Sequence, residues 1–214
     1  MRKRRIFWIV SLMLLLATAL SFMDRQVLSI SIIRIKDDLH ITDTEYGFIN
    51  SGFLISYAVM FTLGGMLIDK YGSRLGLAFS VGFWSLATAL HALSMNAFHF
   101  GLFRFLLGVG EGGCFPGAIK AVIEWVPKQK HAIANGIAIG GSAIGAVVAV
   151  PLCAFTLNYT NWRVLFLISG VLGLIWVLCW LRMTNKYAKE QNQIVNQVSH
   201  SLKMSDFVAL FRNR

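Results

Sequence analysis

The chain has 214 residues, of which 56% are apolar and 14% charged, with a mean hydropathy of +0.63. That balance excludes an ordinary soluble domain and implies an integral membrane protein. Its net charge of +10 does not point to nucleic acid, because the lysines and arginines are spread over short segments between apolar runs and form no single basic face.

Runs longer than the roughly 20 residues that cross a bilayer leave room for about six helices. The first is expected over 6–33. Its start, Met1-Arg2-Lys3-Arg4-Arg5 with Ala17-Thr18-Ala19 downstream, has the outline of a secretory leader, but the apolar run continues to Ile33, too long for one. The polar segment 34–45 follows as a loop in which Thr42 or Thr44 is placed to cap the next helix. Spans are then expected over 46–68 and 75–93, joined by a tight turn at Asp69-Lys70-Tyr71-Gly72-Ser73-Arg74. A fourth, 98–123, holds Arg104, Glu111 and, near its end, Lys120, and is disturbed by Gly112-Gly113-Cys114-Phe115-Pro116-Gly117.

The fifth span, 132–157, is rich in small residues: Gly136, Gly140, Gly141, Ser142, Gly145 and Ala149. In lipid such residues let helices approach closely. The sixth, 164–181, has Trp162, Trp176 and Trp180 near its ends, where they are expected to act as interfacial anchors. Residues 1–182 thus form one six-helix domain, and 183–214 read as a polar linker or tail. Cys114, Cys153 and Cys179 show no paired or metal-type spacing and read as small packing residues.

Orientation follows from charge. With both ends cytoplasmic, the inner segments carry a net +11 and the outer ones −1, as the positive-inside rule requires. The expected location is a plasma (inner) membrane, multi-pass.

Four charges lie inside apolar spans: Asp24, Arg25, Arg104 and Glu111. Such residues are costly in a bilayer and usually face a protein interior or a water-filled cavity. Arg104 and Glu111, seven residues apart, share one helix face. Spans 1 and 4 would open the two halves of a 3+3 repeat, and charges at corresponding positions of such halves point to a midplane site. Arg25 suits a carboxylate-bearing substrate, since a guanidinium holds a carboxylate through parallel hydrogen bonds. Asp24 and Glu111 suit proton coupling, because burial favours the neutral form of a carboxyl group and a nearby guanidinium the ionised form. Arg104 is the natural link between them. Tyr57 offers a ring and a hydroxyl for a sugar-like ligand. The competing reading makes the four charges a structural cluster that fixes helix packing. An enzyme has no support, as no nucleophile–base pair or metal constellation is present, and no cofactor is expected.

The segment Gly65-x-x-x-Asp69-Lys70-x-Gly72-Ser73-Arg74 resembles the loop between helices 2 and 3 of the major facilitator superfamily, with Ser73 where a basic residue is usual. By that resemblance Gly65, Asp69, Lys70, Gly72 and Arg74 form a conformational latch. Asp24-Arg25 with Leu28-Ser29, Arg104-Phe105-Leu106-Leu107-Gly108-Val109-Gly110-Glu111, Phe115-Pro116, Glu124-Trp125 and Asn161-Trp162-Arg163 look like the anion:cation symporters, and among them the bacterial hexuronate transporters. The resemblance implies the six-helix N-terminal half of a twelve-helix transporter, with residues 203–214 leading toward a seventh helix. It implies proton-coupled symport of hexuronates such as glucuronate or galacturonate, with Arg25 and Tyr57 on substrate, Asp24 and Glu111 taking protons and Arg104 linking them. Other carboxylates (aldonates, phthalate, tartrate) and sodium as coupling ion stay open, as does a non-transporting six-span subunit or remnant. Implied partners are a small carboxylate, the lipid bilayer and a C-terminal six-helix half.

Overall fold

The computed structural model describes the backbone of residues 2–201 and the side chains of residues 5–185; the expected approach to a seventh helix lies outside the described residues. Six helices account for nearly all of it: α1 (Arg2–Leu39), α2 (Asp43–Leu90), α3 (Ala97–Glu111), α4 (Cys114–Trp125), α5 (His131–Tyr159) and α6 (Trp162–Ser201). Five stretches are long and apolar enough to cross a membrane: Arg5–Leu39, Asp43–Leu93, Ala97–Trp125, Lys128–Tyr159 and Trp162–Asn185.

The second and third expected spans lie within α2, which has 48 residues. At about 1.5 Å per residue a straight helix of that length would be more than twice the bilayer core. It is not straight. Gly72 leaves the helix at φ 82° and ψ 159°, a region essentially restricted to glycine, and the arms 43–71 and 73–90 fold back so that Ile68 packs on Gly76. The loop expected over 34–45 is shorter than read, since α1 continues to Leu39. Thr42 begins α2 with a capping box: its hydroxyl accepts the Glu45 N–H, and the Glu45 carboxylate accepts the Thr42 N–H, which satisfies two otherwise orphaned donors.

The glycine-rich disturbance in the fourth span is confined to Gly112-Gly113, between α3 and α4. Pro116 falls in the first turn of α4, where its missing N–H has no helical partner to lose. α6 runs through the expected linker start at 183 as far as Ser201.

Close approach is built into the seam between α1 and α5. Gly141 and Gly145 of α5 lie against the carbonyls of Leu15 and Ala19 of α1, with no room for a methyl group. The expectation of close packing holds for these two and for buried Ala149, whereas Gly136 and Gly140 face open space. The tryptophans expected at the interface are instead buried: Trp162 donates to Asp38, Trp176 to the Met13 carbonyl and Trp180 to the Arg74 carbonyl. An indole N–H buried in a bundle needs a polar partner, and each of these joins α6 to another helix. Cys114 and Cys153 are buried as packing residues, but Cys179 is exposed.

The buried side chains form two apolar clusters stacked along the bundle. One contains Phe7, Val10, Leu14, Leu77, Trp84, Leu107, Trp176 and Trp180. The other contains Met23, Val27, Leu28, Phe100, Trp162 and Phe166. Along α3, Arg104 falls between Phe100 of one cluster and Leu107 of the other, and along α6 Ser169 falls between Phe166 and Trp176. Polar side chains occupy the layer between two cores.

Candidate functional site

Successive residues of a helix point about 100° apart, so Asp24 and Arg25 turn to different neighbours. Arg25 reaches α3: its Nη2 and Nε lie 2.8 and 2.9 Å from Glu111 Oε2. Three rings enclose the same guanidinium, Phe22 at 4.8 Å, Tyr57 at 4.7 Å and Phe53 at 5.4 Å from their centroids. Each ring face presents negative potential to the cation. The Arg25 side chain is 26% exposed and that of Glu111 0%, so the cation's side chain is partly open while its counter-ion's is fully buried.

Asp24 is 2% exposed and turns the other way. One carboxylate oxygen accepts the Ser169 hydroxyl of α6, the other the Thr88 hydroxyl of α2 at 3.3 Å. Arg104, 3% exposed, lies with its guanidinium 4.5 Å from the Phe53 ring centroid. No ion pair among the described residues includes Arg104 or Asp24. Nε and Nη1 of Arg104, Oε1 of Glu111 and the Ser21 hydroxyl are buried without a hydrogen-bond partner among the described residues. Buried polar atoms in this state are expensive, and several in one layer mark it as a place for polar chemistry. Among the described residues no group of three His, Cys, Asp or Glu side chains could hold a metal ion.

The glycine turn forms a second cluster. Asp69 pairs with Lys120 of α4 at 2.9 Å. Ser73 donates through its N–H (3.1 Å) and hydroxyl (2.5 Å) to Glu124, and its oxygen accepts from Trp125 Nε1 at 3.0 Å. Arg74 donates to Asn185 of α6, Lys70 sits 5.3 Å from the Tyr71 ring centroid, and Gly65 packs on Pro116. The turn thus ties α2 to α4 and α6. Glu124 and Trp125 were legible as a pair in the sequence, but their attachment to Ser73 was not. Thr88, Ser169, Phe22 and Phe53 carried no sequence signal, because single hydroxyls and phenylalanines are ordinary in apolar helices.

A helical bundle with glycine-tight seams and a charged layer between apolar cores has the build of a polytopic membrane protein. The chain belongs to the Major Facilitator Superfamily, whose description matches residues 14–214. It is 34% identical over 184 residues to the "Hexuronate transporter" of Bacillus subtilis (strain 168), covering 86% of this chain and 43% of that protein. To the "Galacturonate transporter" of Dickeya chrysanthemi it is 29% identical, over 87% of this chain and 54% of that one. The likeness to bacterial hexuronate transporters expected from the motifs is thereby found. In three dimensions the chain resembles a bacterial homologue of the human lysosomal transporter Spinster, in the inward-facing and unoccupied conformation, with a TM-score of 0.72 at 24% identity over 82% of this chain and 42% of that one. That likeness concerns the fold. The chain spans about half the length of the curated relatives it matches.

Proposed function

We propose that the chain is one wall of a proton-coupled symporter for small organic anions, hexuronates before other carboxylates. The observation that supports this best is Arg25: a guanidinium held by three rings, partly open to solvent, with a sealed carboxylate as its resting partner. A substrate carboxylate entering from the open side competes with Glu111 for the same donors. Glu111, released from its cation while buried, then favours the neutral form and takes a proton. Substrate and proton therefore enter together, and their charges offset each other. Tyr57, over the same guanidinium, is placed to meet the polar end of a sugar acid, and Arg104 keeps two donors to spare for the layer. In this reading α2 crosses the membrane twice, once on each side of Gly72, so that the domain has six crossings with both termini cytoplasmic in the inner membrane. The cluster of Gly65, Asp69, Lys70, Gly72 and Arg74 then serves as the latch of the cytoplasmic ends, and the other wall comes from a C-terminal half.

The relatives named for hexuronate and galacturonate put those substrates first. The test is uptake of labelled glucuronate at two external pH values by cells producing the chain alone and joined to the C-terminal half of the Bacillus subtilis relative. Accumulation that rises at the lower pH, is abolished by Glu111→Gln or Asp24→Asn and is crippled by Arg25→Lys is the expected result. Accumulation unchanged by all three substitutions would overturn the assignment.

A further inference from the structure

Asp24 is buried, makes no ion pair among the described residues, and is held by two hydroxyls from two other helices. We infer that Ser169 and Thr88 form a reversible hydroxyl cradle that lets Asp24 gain and lose a proton without leaving any buried polar group unsatisfied. The inference rests on the reading of Asp24 as a proton-coupling residue and assigns two positioning residues to it.

The chemistry follows from donor and acceptor capacity. An ionised carboxylate only accepts, and both hydroxyls donate to it; a protonated carboxyl must also donate, and a hydroxyl has lone pairs to receive that bond. A proton arriving as hydronium adds to one carboxylate oxygen and leaves water behind. The new O–H then points to Thr88 or Ser169, whose own hydrogen swings to the carbonyl one turn back in its helix, that of Trp84 or Leu165. Bonds of this kind are available to helical Ser and Thr, and the same bundle contains them: Ser85 donates to the Val81 carbonyl at 2.6 Å and Thr184 to the Trp180 carbonyl at 2.7 Å. Only O–H bonds are exchanged.

The other groups facing Asp24 are Arg104 and Glu111 from α3 and the Cys153 thiol from α5. Neither charged group on α3 bonds to it directly, and the adjacent Arg25 is committed to Glu111. The hydroxyls therefore provide the contacts that can follow the proton. Because one comes from α2 and the other from α6, a change in donor direction at Asp24 is felt at a junction of three helices.

The experiment uses the 214-residue chain in lipid nanodiscs with ¹³C-carboxyl aspartate, read by infrared difference spectroscopy across pH. Asp24→Asn identifies the carbonyl band of the buried acid by removing it. Ser169→Ala with Thr88→Val is expected to move that band to higher frequency, as hydrogen bonds are lost, and to displace its titration midpoint by about tenfold in proton concentration. Each single variant gives part of the shift, and Ser169→Thr with Thr88→Ser, which keep both hydroxyls, restores the original band. If Asp24→Asn leaves the spectra unchanged, Asp24 does not titrate and both the cradle and the underlying reading fall. If Asp24→Asn removes a band that neither the single nor the double hydroxyl variants move, the cradle alone is refuted.

Discussion

Replacing Arg25 by leucine tests the charged layer where it is most asymmetric. The substitution removes two contacts of 2.8 and 2.9 Å to Glu111 and leaves a fully buried carboxyl group without its cation, and breaking a buried pair in this way costs about 3–5 kcal/mol. Glu111→Leu removes the same contacts from the other side. Arg25 then still has solvent and three aromatic faces, so the loss is smaller, about 1–3 kcal/mol. In the double variant no charge is left uncompensated, and its cost should fall below that of Arg25→Leu alone, with a coupling of about 2 kcal/mol or more between the sites. Reversible unfolding in mixed micelles, followed by tryptophan fluorescence, measures all four corners of the cycle. Costs that add within about 0.5 kcal/mol, or a Glu111→Leu variant at least as damaged as Arg25→Leu, would refute the reasoning.

Gly145→Ala should separate α1 from α5 and destabilise the bundle by about 1–3 kcal/mol, while Gly140→Ala, on the same helix but facing open space, should be neutral or stabilising by about 0.5–1 kcal/mol; thermal melts in detergent distinguish them. Gly72→Ala forces a side chain into the conformation at φ 82° and ψ 159° and should cost about 1–3 kcal/mol, seen as a lowered melting midpoint with unchanged helix content by circular dichroism. Asp69→Asn should leave the melting midpoint unchanged at physiological salt, because the side chain is 71% exposed and solvent screens its pairing with Lys120; a clear drop would show that the turn is held by this charge.

How much of the site was legible depended on the residue type. A charge inside an apolar run has few explanations, so Asp24, Arg25, Arg104 and Glu111 stood out from the sequence. Their pairing did not. The spacing within α3 suggested Arg104 as the natural link between the carboxyl groups, yet the bond to Glu111 comes from Arg25, 86 positions away, and Arg104 rests on Phe53. Hydroxyls and phenylalanines escaped notice because hydropathy gives the same reading whether they line a site or fill a core. The tryptophans were misplaced for a related reason, since an indole near a helix end suits either a lipid headgroup or a carbonyl on a neighbouring helix.

The sequence by itself determined that this is a helical membrane protein, with a break near Gly72 and a few costly charges at the heart of its spans. Each of those follows from local physics: the length of apolar runs, the conformational freedom of one glycine, and the penalty for charge in lipid. Only the tertiary structure decided that α1 docks on α5 through Gly141 and Gly145, that Arg25 and not Arg104 makes the direct ion pair with Glu111, and that Asp24 is held by Thr88 and Ser169. Those outcomes depend on the rotation of each helix about its axis relative to neighbours far away in sequence, which packing of the whole bundle sets and no local pattern encodes.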